Sequence, residues 1–101
     1  MSTRTPPKVA ERFGQNLFLC RRRSFLSQEQ LARRAGLHRT EIGLLENGAR
    51  MPRLDTVVRL LGALKVPPEE LLRGITWEPD GRRLAPGGFL LGPLSEEVPD
   101  G

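Results

Sequence analysis

Cysteine and histidine each occur once in 101 residues, tyrosine is absent, aromatics make up 5% of the chain, and 16 basic residues include only two lysines, Lys8 and Lys65. Each scarcity excludes a class of protein. A lone Cys20 closes no intramolecular disulfide, and with His38 as the single imidazole it assembles no zinc cluster, so disulfide scaffolds and metal centres drop out. No run approaches the ~20 apolar residues of a membrane span. The apolar stretch from Leu17 to Cys20 is shorter than the about 7 to 15 residues of a secretory signal core, so a cytoplasmic protein away from membranes is expected. A chain of this length buries somewhat under about 70% of its unfolded surface, which supports one modest core and disfavours an enzyme with a deep cleft. Cys20 reads as a small core residue. With no phosphate-cradling glycine loop and no paired carboxylates, the expectation is no enzyme, no cofactor and no metal.

What is present is charge, unevenly placed. Residues 8–53 hold ten Lys and Arg against four Asp and Glu, a surplus of six, whereas residues 54–101 hold five against eight. A basic half on an acidic support is the asymmetry of a polyanion-binding surface, and the arginine excess suits phosphate and guanine. Solvation alone would explain the charge equally well, so the helices that carry it must decide. Glycine and proline mark the boundaries: ten of the last 28 residues are one or the other, against ten of the first 73. The expected division is a disordered lead at 1–7, a compact domain at 8–73, and a Gly/Pro-rich tail at 74–101.

Five helical segments fit a 3.6-residue period with stop signals. The first, Lys8 to Arg23, aligns Val9, Phe13, Leu17, Cys20 and Ser24. The second opens with Ser27-Gln28-Glu29-Gln30, a capping box, with Leu26 and Leu31 as a hydrophobic staple. It buries Leu31, Ala32 and Ala35 and ends at Gly36. The third, Arg39 to Glu46, turns Ile42 and Leu45 inward and stops at Asn47-Gly48. The fourth, Leu54 to Leu64, is expected to bury Leu54, Val57, Val58, Leu61 and Leu64. The fifth starts at Pro67-Pro68, carries Glu69 and Glu70 where the helix dipole favours acids, and is expected to bury Leu71 and Leu72. An all-α bundle with a short extended tail follows.

Two short helices joined by a tight glycine turn can set the second one in a major groove while the first crosses the backbone. Opposite Ile42 and Leu45, the third helix displays Arg39, Thr40, Gly43, Leu44 and Asn47. A helix needed only for packing would show Lys/Glu pairs there. This face offers instead a guanidinium able to bond guanine bidentately, a hydroxyl, a residue permitting close approach, a side chain suited to a thymine methyl, and an amide.

The segment SQEQLARRAGLHRTEIGLLENGARMPRLDTVVRLLGALKVPPEELL resembles the Cro-type, lambda-repressor-like helix-turn-helix family, also called the xenobiotic-response-element (XRE) family. The likeness runs from about Phe13 to Leu72, and its Ser-Gln-x-x-Leu-Ala, Ala-Gly, Ile-x-x-Leu-Glu-x-Gly and Pro spacings are specific in combination. It implies a five-helix bundle that binds duplex DNA in transcription regulation, usually as a homodimer on an inverted repeat. It also implies base readout at Arg39, Thr40 and Leu44, with Gly43 between them, and phosphate contacts at Gln28, Asn47, Arg50 and Arg53. Gln28 serves equally well as a helix-start residue, Leu44 as a packing residue and Arg50 as solvated charge. Glu46 occupies the position that pairs with a first-helix arginine, here Arg21, and an acid on a DNA-facing helix needs such neutralisation. Arg22, Arg23, Arg33 and Arg34 are candidates for backbone contact or for a merely solvated face. Three positions depart from the pattern: His38 replaces the usual Ser or Thr cap and is left to cap weakly or touch phosphate, Phe25 replaces a turn glycine, and Arg53 stands where a Ser-like cap is common.

Phe18 and Leu19 project away from the core face of the first helix and need a cover. In the tail, Ile75 to Glu78 with Pro79-Asp80-Gly81 and Arg82-Arg83-Leu84 reads as a hairpin, and Gly88 to Leu91 as a later extended piece. Trp77, Phe89 and Leu90 join Phe18 and Leu19 as candidate contacts to the bundle, a second subunit or a protein partner; a mobile appendage is the plain alternative. The leading expectation is a sequence-specific transcriptional regulator, a repressor or autoregulator. The other reading is an antitoxin- or adaptor-type module whose tail docks a protein with Trp77 as anchor.

Overall fold

In the computed structural model, which describes residues 7–79 and 87–93, the helices are α1 (Pro7–Arg23), α2 (Gln28–Ala35), α3 (Arg39–Glu46), α4 (Leu54–Leu64) and α5 (Pro68–Leu71). Two strands follow, β1 (Ile75–Glu78) and β2 (Gly88–Leu91). Each helix boundary has a local cause. Ser27 Oγ accepts from Gln30 N at 3.0 Å while Gln30 Oε1 accepts from Ser27 N at 2.8 Å, so the expected capping box starts α2. Gly36 ends it at φ 72, and the Leu37 N–H returns to Ala32 O at 2.9 Å. That left-handed residue turns the chain into α3 within two residues. Phe25 adopts φ 59 in the turn before α2, the conformation for which glycine is the ordinary choice, and its ring is 92% exposed. Nothing it packs against offsets the backbone cost.

The core is the shared interior of the bundle. Phe13, Leu17 and Cys20 of α1 meet Leu31, Ala32 and Ala35 of α2, Ile42 and Leu45 of α3, Leu60, Ala63 and Leu64 of α4, and Leu71 of α5. Leu26 packs against the same cluster. Burial raises the Cys20 thiol above its usual pKa, with the Glu70 carboxylate adding to the shift, so the group stays a protonated thiol at neutral pH. Asn16 lies on the same face of α1 as Phe13 and Cys20 and is fully inside. Its Nδ2 donates to Leu71 O at 2.8 Å and Arg73 O at 3.0 Å, satisfying the carbonyls at the end of α5.

Two expected core assignments need correction. In α4 the buried residues are Thr56, Leu60, Ala63 and Leu64, whereas Leu54 is 79% exposed and Val58 59% exposed. The inward face is turned by roughly 100°, one residue, from the expected one. The cause is an excess of apolar residues: α4 is apolar on both sides, so periodicity finds two stripes, and the small Thr56 and Ala63 let the helix seat closely on the Leu60 side. Leu72 is likewise exposed, because α5 stops at Leu71 and Leu72 caps it from outside the last turn.

The tail forms a hairpin, but with a different partner strand from the expected one. β1 pairs antiparallel with β2, Ile75 opposite Leu91 and Trp77 opposite Phe89. Arg82 to Leu84 lie outside the described residues. Alternation along the strands puts Ile75, Trp77, Phe89 and Leu91 on one face. Ile75 packs on the core, and Arg12 Nη1 donates to Gly92 O at 2.7 Å, fastening the hairpin to α1.

One close approach sets the position of α3. A Cβ on Gly14 would collide with Leu45 O and come within 2.6 Å of Glu46 O, so α1 crosses the end of α3 backbone to backbone. Helix propensity alone favours Gly14→Ala by about 1 kcal/mol. We expect the opposite sign, a loss of about 1 to 3 kcal/mol in urea unfolding, because carbonyls cannot yield as side chains do. Phe25→Gly should gain about 1 kcal/mol in the same assay by relieving the left-handed backbone; no gain would mean that the turn carries no strain.

Candidate nucleic-acid interface

The candidate site is assembled around one carboxylate. Arg21, near the end of α1, directs Nε to Glu46 Oε2 at 2.6 Å and Nη2 to Glu46 Oε1 at 3.0 Å, a bidentate pair, while its Nη1 donates to Leu26 O at 2.9 Å. Both side chains are nearly sealed, at 10% and 5% exposure. Gln28, the first residue of α2, then donates from Nε2 to the same Oε1 at 3.0 Å. The end of α1, the turn before α2, the start of α2 and the end of α3 thus meet at Glu46. Its negative charge is matched inside the protein and is not presented to solvent.

Around this lock α3 is held by Ile42 and Leu45, both with no exposed surface. Its other face carries Arg39 and Thr40, exposed, then Gly43 and Leu44, half-buried, then Asn47, exposed at the helix end. The first atoms a Cβ on Gly43 would meet are the Gln28 amide oxygen and nitrogen, each 4.0 Å away. Gly43 is therefore a notch in α3 with the Gln28 amide behind it. Leu44 is intermediate, its side chain divided between neighbours and solvent. His38 precedes α3 with extended backbone and makes no side-chain capping bond, so its exposed imidazole is left for solvent or a ligand.

Arginines flanking this face differ in how far they are committed. Among the described residues Arg34, Arg39 and Arg50 have no carboxylate within ion-pair distance, whereas Arg53 lies 3.5 Å from Asp55, Arg33 4.0 Å from Glu29 and Arg23 3.3 Å from Glu70. The first two of these pairs are well exposed and so hold their arginines loosely. Arg22 and Arg21 both lie over the Phe18 ring, at 5.5 and 5.4 Å.

The residues expected to cover one another in the tail are only partly brought together. Trp77 and Phe89 contact edge to face, with centroids 5.1 Å apart, and they line a groove with Lys8 and Val9 at the first turns of α1. Gly87 permits this, since a Cβ there would enter the Trp77 ring. Phe18 lies about 13 Å further along the helix and stays 38% exposed, while Leu19 is half-buried. Leu90, on the opposite face of the hairpin, is 51% exposed. One residue and one contact that matter here escaped the sequence reading. Asn16 was detectable as the one polar residue on the apolar face of α1, whereas the Gln28 to Glu46 bond depends on a fold contact that no local pattern encodes.

The fold and this arrangement define a class. The helix-turn-helix family model matches residues 20–71, and the chain belongs to that family, in its XRE-type branch of DNA-binding transcription regulators. It is 43% identical over 61 residues to the control protein C.BamHI of Bacillus amyloliquefaciens, covering 59% of this chain and 75% of that one. It is 41% identical over 64 residues to the control protein C.SmaI of Serratia marcescens, covering 63% and 76%. Among solved structures, the restriction-modification controller protein C.AhdI from Aeromonas hydrophila superposes with a TM-score of 0.60 at 40% identity, over 61% of this chain and 94% of that one. The family consists of regulators and not enzymes, and no helix among the described residues is long and apolar enough to cross a membrane.

Removing one partner of a sealed ion pair strands the other. Glu46→Leu or Arg21→Met alone should cost about 3 to 5 kcal/mol, and the double substitution much less than the two together. A double-mutant cycle in urea checks this. Additive losses would show that the two groups act separately.

Proposed function

We propose that this protein is a controller-type transcriptional regulator that reads duplex DNA with the exposed face of α3, as a homodimer on an inverted-repeat operator. The observation that carries the proposal is the state of Arg39: exposed, at the first position of α3, and without a carboxylate partner among the described residues. In this reading its fork bonds the O6 and N7 of a guanine, Thr40 and Leu44 contact neighbouring base edges, and the Gly43 notch admits the groove wall. Gln28, His38, Asn47, Arg50 and Arg53 fix the register on phosphates. Gln28 suits this because its amide is already held by Glu46 and loses little freedom on binding.

The names of the relatives favour control of a restriction-modification operon over other regulatory settings. The hairpin supports a further reading for residues 74–101, as the segment that meets a protein, since Trp77 keeps 53% of its surface exposed. The α3 face favours DNA as the principal ligand, with the tail as an addition to the domain at residues 8–73.

Selection from a random duplex pool supplies the operator, and two substitutions then separate readout from attachment. Arg39→Ala should lose about 1 to 3 kcal/mol on the selected operator and relax its sequence preference at one base pair. Arg50→Ala should weaken binding to all duplexes alike and flatten the salt dependence by about one ion. If Arg39→Ala binds and discriminates as the parent does, α3 is not the reading helix.

A further inference from the structure

The turn between α1 and α2 carries a ring for which the bundle has no use. α1 ends in a Schellman motif, with Leu26 N donating to Arg21 O at 3.2 Å and Phe25 N to Arg22 O at 3.0 Å. The motif sets Phe25 at φ 59, where glycine is the ordinary residue and a bulky side chain is an outlier. The turn explains the backbone conformation but not the phenyl ring, since 92% of the residue is exposed. A side chain that costs stability and packs on nothing in its own chain points to a contact outside it. The ring is also presented firmly. Leu26 beside it packs on the core, and the Leu26 carbonyl accepts from Arg21 Nη1 at 2.9 Å.

The surroundings select the occupant. Gln28, three residues further on, bonds Glu46 at the end of α3 and lies 4.0 Å from a Cβ built on Gly43. The turn therefore borders the second half of the exposed α3 face. When such a face enters a major groove, the preceding helix crosses one strand of the duplex backbone, and the turn that leads into α2 is carried onto that strand. The nearby charge is positive. Arg21, Arg22 and Arg23 precede the turn, Glu46 is neutralised by Arg21, and Glu29, the single acid of residues 21–30, lies 4.0 Å from Arg33. Arg23 also meets Glu70 at 3.3 Å, but Arg22 has no carboxylate within ion-pair distance among the described residues. This surface fits an anion that also offers apolar carbon, and a DNA strand combines the two in its phosphates and deoxyribose rings.

We propose that Phe25 packs on a deoxyribose of the strand that α2 crosses. The assignment rests on the reading of α3 given above and adds to it a contact that neither a phosphate nor a base edge makes. Every nucleotide presents the same sugar, so the contact is indifferent to sequence. It is also indifferent to salt, because a ring that displaces water from a sugar releases no counterion. The strained turn thus lowers the stability of the free chain and raises its affinity for a duplex.

The test compares the full chain with its Phe25→Gly and Phe25→Leu variants on the selected operator and on an unrelated duplex. Phe25→Gly should raise the melting temperature yet weaken binding to both duplexes by about tenfold, with the salt dependence unchanged. Phe25→Leu should recover part of that affinity. Hydroxyl-radical cleavage, which begins at deoxyribose hydrogens, reads the contact directly. At saturating protein the parent should protect a sugar that becomes open in Phe25→Gly, while the rest of the footprint stays the same. Arg39→Ala measured alongside separates the two readings, since it alters base preference and Phe25→Gly does not. A glycine variant that binds and footprints as the parent does overturns the assignment and leaves the ring to a protein partner. A loss of affinity accompanied by a flatter salt dependence also overturns it, because the turn would then act through phosphate.

Discussion

Almost everything about the exposed face of α3 depends on where the Glu46 carboxylate finds its partners. α3 has eight residues, too short to hold its shape alone, and it lacks both a side-chain N-cap and a basic residue in its last turn. Its orientation comes from outside: from Ile42 and Leu45 in the core, from the backbone crossing at Gly14, and from Glu46, which receives Arg21 and Gln28 together. An unpaired carboxylate in this position would oppose a polyanion and, in a nearly sealed setting, would be costly in itself. Arg21 removes both problems with a bidentate bond and fixes the angle of α3 to α1. Gln28 links the same oxygen to the start of α2. The two helices of the motif are therefore joined at a polar node on one side and at the apolar core on the other, which fixes their relative orientation more tightly than either contact could alone.

Local chemistry was legible in the sequence wherever a boundary has a local cause. The capping box at Ser27 and Gln30, the stop at Gly36 and the limits of α3 all appear where residue type and spacing place them. The core face of α1 was legible as well, since four apolar residues share one stripe. Three features were not. The buried face of α4 was ambiguous because both its sides are apolar, and the choice between them depends on how closely Thr56 and Ala63 let it approach the bundle. Leu72 was misplaced because α5 ends one residue before it. The strand partner of Ile75 to Glu78 was taken to be the nearest extended piece, whereas Ile75 and Leu91 share the hairpin face that lies against α1. In each case the deciding contact joins elements far apart in sequence.

The site was legible in a different sense. The exposed face of α3 follows from its period once Ile42 and Leu45 point inward, so the positions of Arg39, Thr40, Gly43 and Leu44 were accessible before any fold was known. The link between Gln28 and Glu46 was not. It makes Gln28 a part of the lock as well as a candidate contact, and its half-buried state follows from that double role.

Net charge does not determine which arginines can meet a polyanion; the positions of the acids do. The basic half of the chain has a surplus of six, yet its arginines divide by neighbour. Arg21 is committed to Glu46, Arg23 to Glu70, and Arg12 to a carbonyl beneath the hairpin, all contacts that hold the bundle together. The acids of the second half face other tasks: Glu70 also binds Arg73 at 2.8 Å, and Asp55 sits in the first turn of α4, where the dipole favours it. Arg22, Arg34, Arg39 and Arg50 remain, with no carboxylate partner among the described residues, Arg22 lying over the Phe18 ring. Arg34, Arg39 and Arg50 lie on α2, on α3 and in the loop that follows, the three segments proposed to meet a duplex. Replacing one neutral residue in this region by an acid would change the net charge by a single unit, yet it would tie up an arginine that now faces outward. The placement of carboxylates is thus as much a part of the proposed DNA surface as the arginines themselves, and Glu46, at the end of α3, is both neutralised by Arg21 and nearly enclosed.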